Sequence, residues 1–560
     1  MKYVIKLYFV YFFIFFCRDL SFALKNQEII LRWPSLNIIS AVLKINGSFG
    51  NDFYTNSILN TPLRTVINIF SLVLPKNHLD FISSYSIFSL IFKSILPISL
   101  IFLASLIATL IIREFNYKKD FNIKNQFSYT FFIGNLIFFI SKQSDILKDI
   151  FFGTPIALWG FPTALASSRG ISLFLSLITV NIILLKRLFI PNENKLDKKL
   201  ILVLFVINLS ASIIHPISPL FSLVIIFLLS LFIKYNFSNW LNLFIIYFVS
   251  WVLGVLIILN LYPQGNIDNL DLFRIYIENR HQHHYLPSFY ISQLLKWKFL
   301  IFNFLISFIF IFFKKNNLIK HIFIKLLITN ILILTFINLN QYLLVEIFKT
   351  PLFIKLGLTF LNISFNFLYF LSILLFLSIQ KFRYKGILNN LLEIKFIKSK
   401  NSPKLIDLIL VSLSISTLIF TSSVYQSNII KVKESITFIT SKKIKIFNKD
   451  DAEFIIDSKI ANDFKHPREL GLINIFHDDY FPYSLESMRL WEKKYIDLQE
   501  LEDCLKNGKN KCFIPSEYKK NIFYVSNVKQ PKLGEEIFYE NIGEISIFIN
   551  KIEKKIKIFI

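Results

Sequence analysis

Acidic residues are scarce in this 560-residue chain: 37 Asp and Glu stand against 62 Lys and Arg, a formal net charge of +25. Glycine (14), tryptophan (6), cysteine (3) and methionine (2) are scarce as well. No CxxC pair occurs, so the cysteines fit no zinc framework. No Walker phosphate loop, dinucleotide-binding GxGxxG or HExxH occurs either, which leaves an ATP-driven pump or a zinc protease of those types without support. What abounds is Phe (64), together with Ile, Lys and Asn, the mix an AT-rich genome encodes. Part of the Lys excess therefore fits mutational bias.

Hydrophobic residues make up 54% of the chain, and its mean hydropathy is +0.54. Apolar runs of about 15 to 25 residues recur up to Tyr425, the length that crosses a hydrocarbon core of about 30 Å. That arrangement excludes a soluble globular enzyme, a disordered chain and a disulfide scaffold. The runs lie near 7–17, 88–112, 127–141, 171–185, 200–214, 219–233, 240–262, 299–313, 321–338, 351–380 and 405–425. The fold class expected is an all-α polytopic membrane protein of about eleven transmembrane helices with a small C-terminal extracytoplasmic α/β domain. The first run reads as an uncleaved anchor; a cleavable signal ending near Ser21-Phe22-Ala23 is the alternative.

Basic residues orient the spans. One set of short loops, from Arg113 to Lys404, carries 21 Lys and Arg; the alternate set, from Lys142 to Lys349, carries 8. The first set is expected in the cytoplasm of a bacterial inner membrane, with the N-terminus inside and the tail outside. The charge then reads as an orientation signal, and nucleic acid is not an expected partner. Residues 1–425 form the membrane domain, with external loops 18–87 and 263–297; residues 426–560 form the external domain. In that tail, alternation predicts strands at Ser435–Thr440, Glu453–Ile456, Asn521–Val525 and Ile545–Ile549. A charged helix is predicted over Ser484–Cys504, with Met488, Trp491 and Tyr495 at helical spacing. Cys504 and Cys512 suit either a disulfide or two free thiols.

Four polar groupings are candidates for chemistry. In the first loop, Asn51-Asp52-Phe53 follows a glycine-marked turn; Asp52 suits a general base toward an acceptor hydroxyl, or the cap of a following helix. In the second, Arg274, Glu278 and Arg280 precede His281, His283, His284 and Tyr285. Arginines and histidines in this density suit a lipid phosphate or pyrophosphate, a metal held by His and Glu, or a solvated loop. His215 and Arg169, at predicted outer span ends, are cavity-lining candidates; a plain turn is the other reading of His215. Asp145 and Asp149 suit a divalent cation or a solvated helix face. No metal ligand set is assigned.

Asn51-Asp52-Phe53, the block from Arg280 to Pro287, and the tail stretch Phe454–Tyr495 resemble an uncharacterised family of bacterial polytopic membrane proteins frequent in cyanobacteria. In the tail the likeness rests on Phe454-Ile-Ile-Asp457, Arg468, Pro482 and Trp491-Glu-Lys-Lys-Tyr495. The architecture resembles the GT-C superfamily of membrane glycosyltransferases. That resemblance implies sugar transfer from a polyprenyl-phosphate donor to a glycan or lipid acceptor on the outer face. It implies Asp52 as catalytic base, and Arg280, with His283 or His284, on the donor phosphate. Arg274, on the same loop, joins them as a donor-phosphate candidate; Asn51, His215, Arg169 and Tyr285 are the cavity-lining candidates. Where many GT-C enzymes carry two adjacent acids, this chain has Asn51 beside Asp52, which weakens the case for a metal there. A polysaccharide polymerase or ligase acting on undecaprenyl pyrophosphate chains, and a non-enzymatic transporter, are the competing readings.

Overall fold

The computed structural model describes residues 1–26, 78–115, 122–141, 168–190, 197–232, 237–261, 286–289, 335–348, 363–383, 452–457, 476–477, 485–507, 511–518, 520–542 and 545–555, with isolated residues within 45–72 and 324–332. The chain divides into two compact units. One comprises Met1–Leu20, Leu90–Ile258 and Ile277–Tyr425; the other comprises Ser21–Ser89, Leu259–Tyr276 and Gln426–Ile560.

The first unit is helical. The helices that lie in it wholly or for the larger part are α1 (Lys2–Asn26), α2 (His78–Phe115), α3 (Ile123–Ser141), α4 (Ser168–Phe189), α5 (Lys198–Ile214), α6 (Ser218–Phe232), α7 (Phe237–Leu261), a π-helical turn (Tyr342–Ile347) and α8 (Ile363–Arg383). Among the described residues, three segments are long and apolar enough to cross a membrane: Ser94–Glu114, Gly170–Phe189 and Asn239–Ile258. The predicted runs 299–313 and 405–425 lie outside the described residues, as does most of 321–338.

Burial ranks the three segments. The span of α2 is 94% buried, that of α4 50% and that of α7 28%, so α2 is central and α7 peripheral. On α7 the exposed face is Leu241, Phe244, Ile245, Phe248, Val249, Leu253 and Leu256, large apolar side chains suited to lipid contact. The central helix instead uses small hydroxyl residues. Ser99, Ser105 and Thr109 each donate to the carbonyl four residues back, at 2.7 Å. Such back-bonding hides the hydroxyl where no water is available.

α1 packs by one face, with Val4, Leu7, Tyr11 and Phe15 buried. Tyr11 meets Phe131 edge-on at 5.0 Å, and Phe15 stacks on Phe138 at 5.6 Å. The hydroxyls of Tyr8 and Tyr3 reach Ser99 at 2.8 Å and Ser128 at 3.0 Å. α8 joins the bundle through Phe367, which meets Phe221 of α6 edge-on at 5.4 Å. At the far ends of α2 and α4, Arg113 Nη1 donates to Leu188 O at 3.0 Å, and Arg187 lies 3.8 Å from Glu114. A guanidinium there satisfies a helix-end carbonyl that lacks an amide partner.

α5 begins at Asp197, whose carboxylate accepts from the Lys199 amide. It packs closely on α7 through small and polar residues. Asn208 Nδ2 donates to Ser250 Oγ at 2.6 Å and to Tyr247 O at 3.3 Å. One turn on, a Cβ added at Gly254 would lie 2.4 Å from Ser212 Cβ. Close approach through small residues and interhelical hydrogen bonds is how helices associate where lipid is as apolar as leucine.

The second unit contains a small α/β domain. A four-stranded sheet runs in the order β1 (Ala452–Ile456), β3 (Asn521–Ser526), β5 (Ile545–Lys551), β4 (Glu536–Ile542). β1 pairs parallel with β3, placing Phe454 opposite Phe523, and the other pairings are antiparallel. β2 (Ile514–Pro515) and β6 (Lys554–Lys555) form a two-stranded parallel ribbon. Helix α9 (Leu485–Lys506) supplies the crossover that a parallel pair needs. Its core gathers Ile455, Phe476, Leu501, Ile514, Ile522 and Leu533. Cys504 and Cys512 are joined by a disulfide, with Cα atoms 5.9 Å apart. Gly534 has φ of 123°, where any side chain would be strained, and an added Cβ would lie 2.6 Å from Lys551 O. Three tail strands and the helix fall within a few residues of their predicted positions; Ser435–Thr440 lies outside the described residues, and β4 was not predicted.

The α5–α7 contact gives a direct test. Gly254→Ala should destabilise the full chain by about 1–3 kcal/mol, and Gly254→Leu by more. Thermal unfolding of the detergent-purified protein measures both; equal stability of Leu and Gly there would contradict the close packing.

Candidate functional site

Asn51 and Asp52 lie outside the described residues, as do Arg274, Arg280, His281, His283, His284, Tyr285, Asp145 and Asp149. Arg169 sits in the first turn of α4, with its side chain outside the description.

His215 is described, and its surroundings are those of a helix corner. Its backbone amide donates to Ala211 O at 3.0 Å, closing the last turn of α5. Its ring Nδ1 lies 3.0 Å from Ser218 Oγ, at the start of α6. Ser172 Oγ donates to Ala211 O at 2.7 Å and to His215 O at 3.2 Å. Trp251 Nε1 donates to Pro216 O at 2.7 Å. Together these bonds tie α4 and α7 to the short turn between α5 and α6, and His215 is half-buried within it.

A residue that motif reading passed over lies at the π-helical turn. Residues 335–341 are α-helical; then Phe348 N bonds to Leu343 O at 2.7 Å, five residues back, in the π pattern. Asn338 and Gln341 are buried on this segment. Glu346 Oε1 accepts the backbone amide of Ser288 at 3.3 Å, from a segment 58 residues earlier. Glu346 is the only acid between Glu278 and Glu393, and that isolation in an apolar stretch was the available signal.

The tail holds a buried charged cluster. Lys494 Nζ, on α9, lies 2.7 Å from Glu453 Oε2 on β1, with the lysine side chain 3% exposed and the glutamate 9%. The same ammonium stands 4.8 Å from the centre of the Phe476 ring, while Lys520 lies 3.8 Å from the other Glu453 oxygen. One turn along α9, the buried Asp497 accepts from Tyr518 Oη at 2.5 Å. Burial first, and then the Asp497 hydrogen bond and charge, push the Tyr518 hydroxyl above the ordinary phenol range, so it stays a neutral donor. Tyr524 is raised in the same direction by burial and by Asp457, to which it donates at 3.2 Å. Beside this cluster, His477 lies 5.0 Å from Trp491 and 5.4 Å from Tyr495, which stack on each other. Every charge in this cluster has an opposite charge or a hydrogen-bond partner, which is the arrangement of a structural core. Compared with models of known protein families, with curated proteins and with solved structures, the chain matches none.

Two measurements test the tail's electrostatics. Lys494→Met takes the nearer partner from Glu453, leaving only Lys520 at 3.8 Å, and should cost up to about 3–5 kcal/mol; adding Glu453→Leu should recover most of the loss. Thermal unfolding of the three full-length variants checks this, and additive losses would contradict it. Glu502 is raised by burial, an effect that Lys506 opposes and Asp457 and Asp503 reinforce. Folding therefore takes up a proton between the ordinary carboxyl pKa and the raised one, and stability rises as pH falls through that window. Glu502→Gln should stabilise the protein at neutral pH, by a margin that shrinks toward about pH 4.

Proposed function

We propose that the protein is a membrane glycosyltransferase that moves a sugar from a polyprenyl-phosphate donor to an envelope acceptor on the outer face of a bacterial inner membrane. The observation that carries this reading is the distribution of charge along the sequence: the short loops assign the segments that hold Asp52, Arg274 to His284, and the tail all to the outside. The Cys504–Cys512 disulfide supports the same side independently, because disulfides persist in oxidising compartments.

In this reading Asp52 takes the proton of the acceptor hydroxyl as its oxygen attacks the anomeric carbon. The bond to the donor phosphate breaks, and the phosphate leaves with the bonding pair. Arg274 and Arg280, with His283 and His284, stabilise the charge that develops there, where preorganised donors act most strongly.

The test uses a strain whose only copy carries Asp52→Asn. Lipid-linked sugar should accumulate, and envelope glycan should fall about 100-fold or more, as for a lost general base. Unchanged glycan at a normal protein level would remove Asp52 from this role.

A further inference from the structure

Positive charge gathers where α2, α4 and α5 end together. Ser172, in the first turns of α4, bonds to the carbonyls of Ala211 and His215 at the end of α5. The end of α4 leads by a short connection into the start of α5, so the two form an antiparallel hairpin. Arg113 ties the end of α2 to the end of α4. Five basic residues thus share this end: Arg113, Lys186, Arg187, Lys198 and Lys199. Among the described residues two acids accompany them: Glu114, 3.8 Å from Arg187, and Asp197, which caps α5. The charges do not balance, and the surplus is positive. It is the end that the loop charges assign to the cytoplasm.

Capping the helix uses only part of Arg113, which is half-buried. Its Nη1 donates to Leu188 O at 3.0 Å and to Arg187 O at 3.4 Å. Its Nε and Nη2 make no hydrogen bond with the described residues. Those two nitrogens form the edge of a guanidinium that takes a phosphate bidentately. Arg113 also stands at the end of the apolar segment Ser94–Glu114, and Arg187 in the last turn of Gly170–Phe189. The ends of membrane-crossing helices lie at headgroup depth, where basic pockets between helices bind anionic headgroups. On α5, Lys198 and Lys199 are followed along the helix by Leu202, Val203 and Val206, all exposed. That surface suits the acyl chains of a lipid whose headgroup lies among the basic residues. A free phosphate ion would have no use for it.

We propose that the cluster at the ends of α2, α4 and α5 binds the headgroup phosphate of an anionic phospholipid, with Arg113 as the bidentate contact. Nη1 keeps its bond to α4 while Nε and Nη2 hold two phosphate oxygens. Arg187 and the lysines contribute charge around them. The inference is independent of the glycosyltransferase reading and needs only that these helices cross a membrane.

The experiment titrates phosphatidylglycerol or phosphatidylcholine into the full-length protein in an uncharged detergent and counts bound lipids by native mass spectrometry. Thermal unfolding without added lipid reports the fold of each variant. The variants are Arg113→Gln, Arg113→Lys and the pair Lys198→Gln with Lys199→Gln. Arg113→Lys keeps the charge and a donor for Leu188 O but loses the fork, so it decides the matter if Arg113→Gln unfolds. The wild type should bind phosphatidylglycerol more tightly than phosphatidylcholine by about 5-fold or more, the scale of one arginine near an anionic headgroup. Both Arg113 variants should lose most of that preference, and the lysine pair, which removes more charge from exposed positions, should keep most of it. A wild type that binds the two lipids equally overturns the proposal. So does a preference that survives in Arg113→Lys, or one that the lysine pair loses as fully as Arg113→Gln does, because charge alone would then govern binding. Inorganic phosphate at millimolar concentration should leave the bound lipid in place; its displacement overturns the proposal in favour of a site for the soluble ion.

Discussion

The helical unit depends on one constraint: a polar group buried among apolar helices is costly unless it finds a partner within the chain. The regular helices meet it for the backbone. The side chains meet it locally, through Ser99, Ser105 and Thr109 returning to their own helix. Where helices meet, Asn208 bridges to Ser250, and Ser172 to the carbonyl of His215. The helix ends need partners too, and Arg113 supplies one to the end of α4. The same constraint explains why His215 and Trp251 are committed to a corner. The turn between α5 and α6 exposes carbonyls, and Ser172 and Trp251 are the donors that reach them.

The tail meets a related constraint in a different setting. Lys494 and Asp497 lie on the inward face of α9, where a purely apolar stripe would be the simpler solution. Glu453, Phe476 and Tyr518 surround them, so no charge is left alone. Removing one partner of a buried pair is costly, whereas an apolar replacement of the whole pair is often neutral. The cluster therefore fixes how α9 sits on the sheet more than it adds stability. The disulfide reinforces that geometry by tying the end of α9 to the approach to β2.

The legible parts of the chain were those with a strong period. α4 through α7 follow their apolar runs, and Ala452–Ile456, Asn521–Ser526 and Leu485–Lys506 follow their alternation or helical spacing. Strand β4 was missed because Glu536-Ile-Phe-Tyr-Glu-Asn-Ile does not alternate: an apolar triplet is bracketed by Glu536 and by Glu540 with Asn541. Glu346 was missed because motif reading favours dense clusters, and this residue is notable for standing alone. The disulfide was undecided for a geometric reason: a spacing of eight allows both a bridge and two free thiols. The candidate residues Asp52 and Arg280 to Tyr285 were legible only as polar density in an apolar chain, and they lie outside the described residues.

The sequence by itself determined that much of the chain is apolar helix of membrane-spanning length, since such runs follow from composition and order alone. It also determined most tail elements, because their periods are local. Tertiary structure alone decided which helix is central, because burial depends on neighbours that hydropathy does not name: α2 and α7 are both strongly apolar, yet one is enclosed and the other faces outward. It decided that Lys494 is a core residue, that Cys504 and Cys512 are bonded, and that Glu346 meets Ser288. Each of these joins residues whose pairing depends on the path of the chain through space, which no local period encodes.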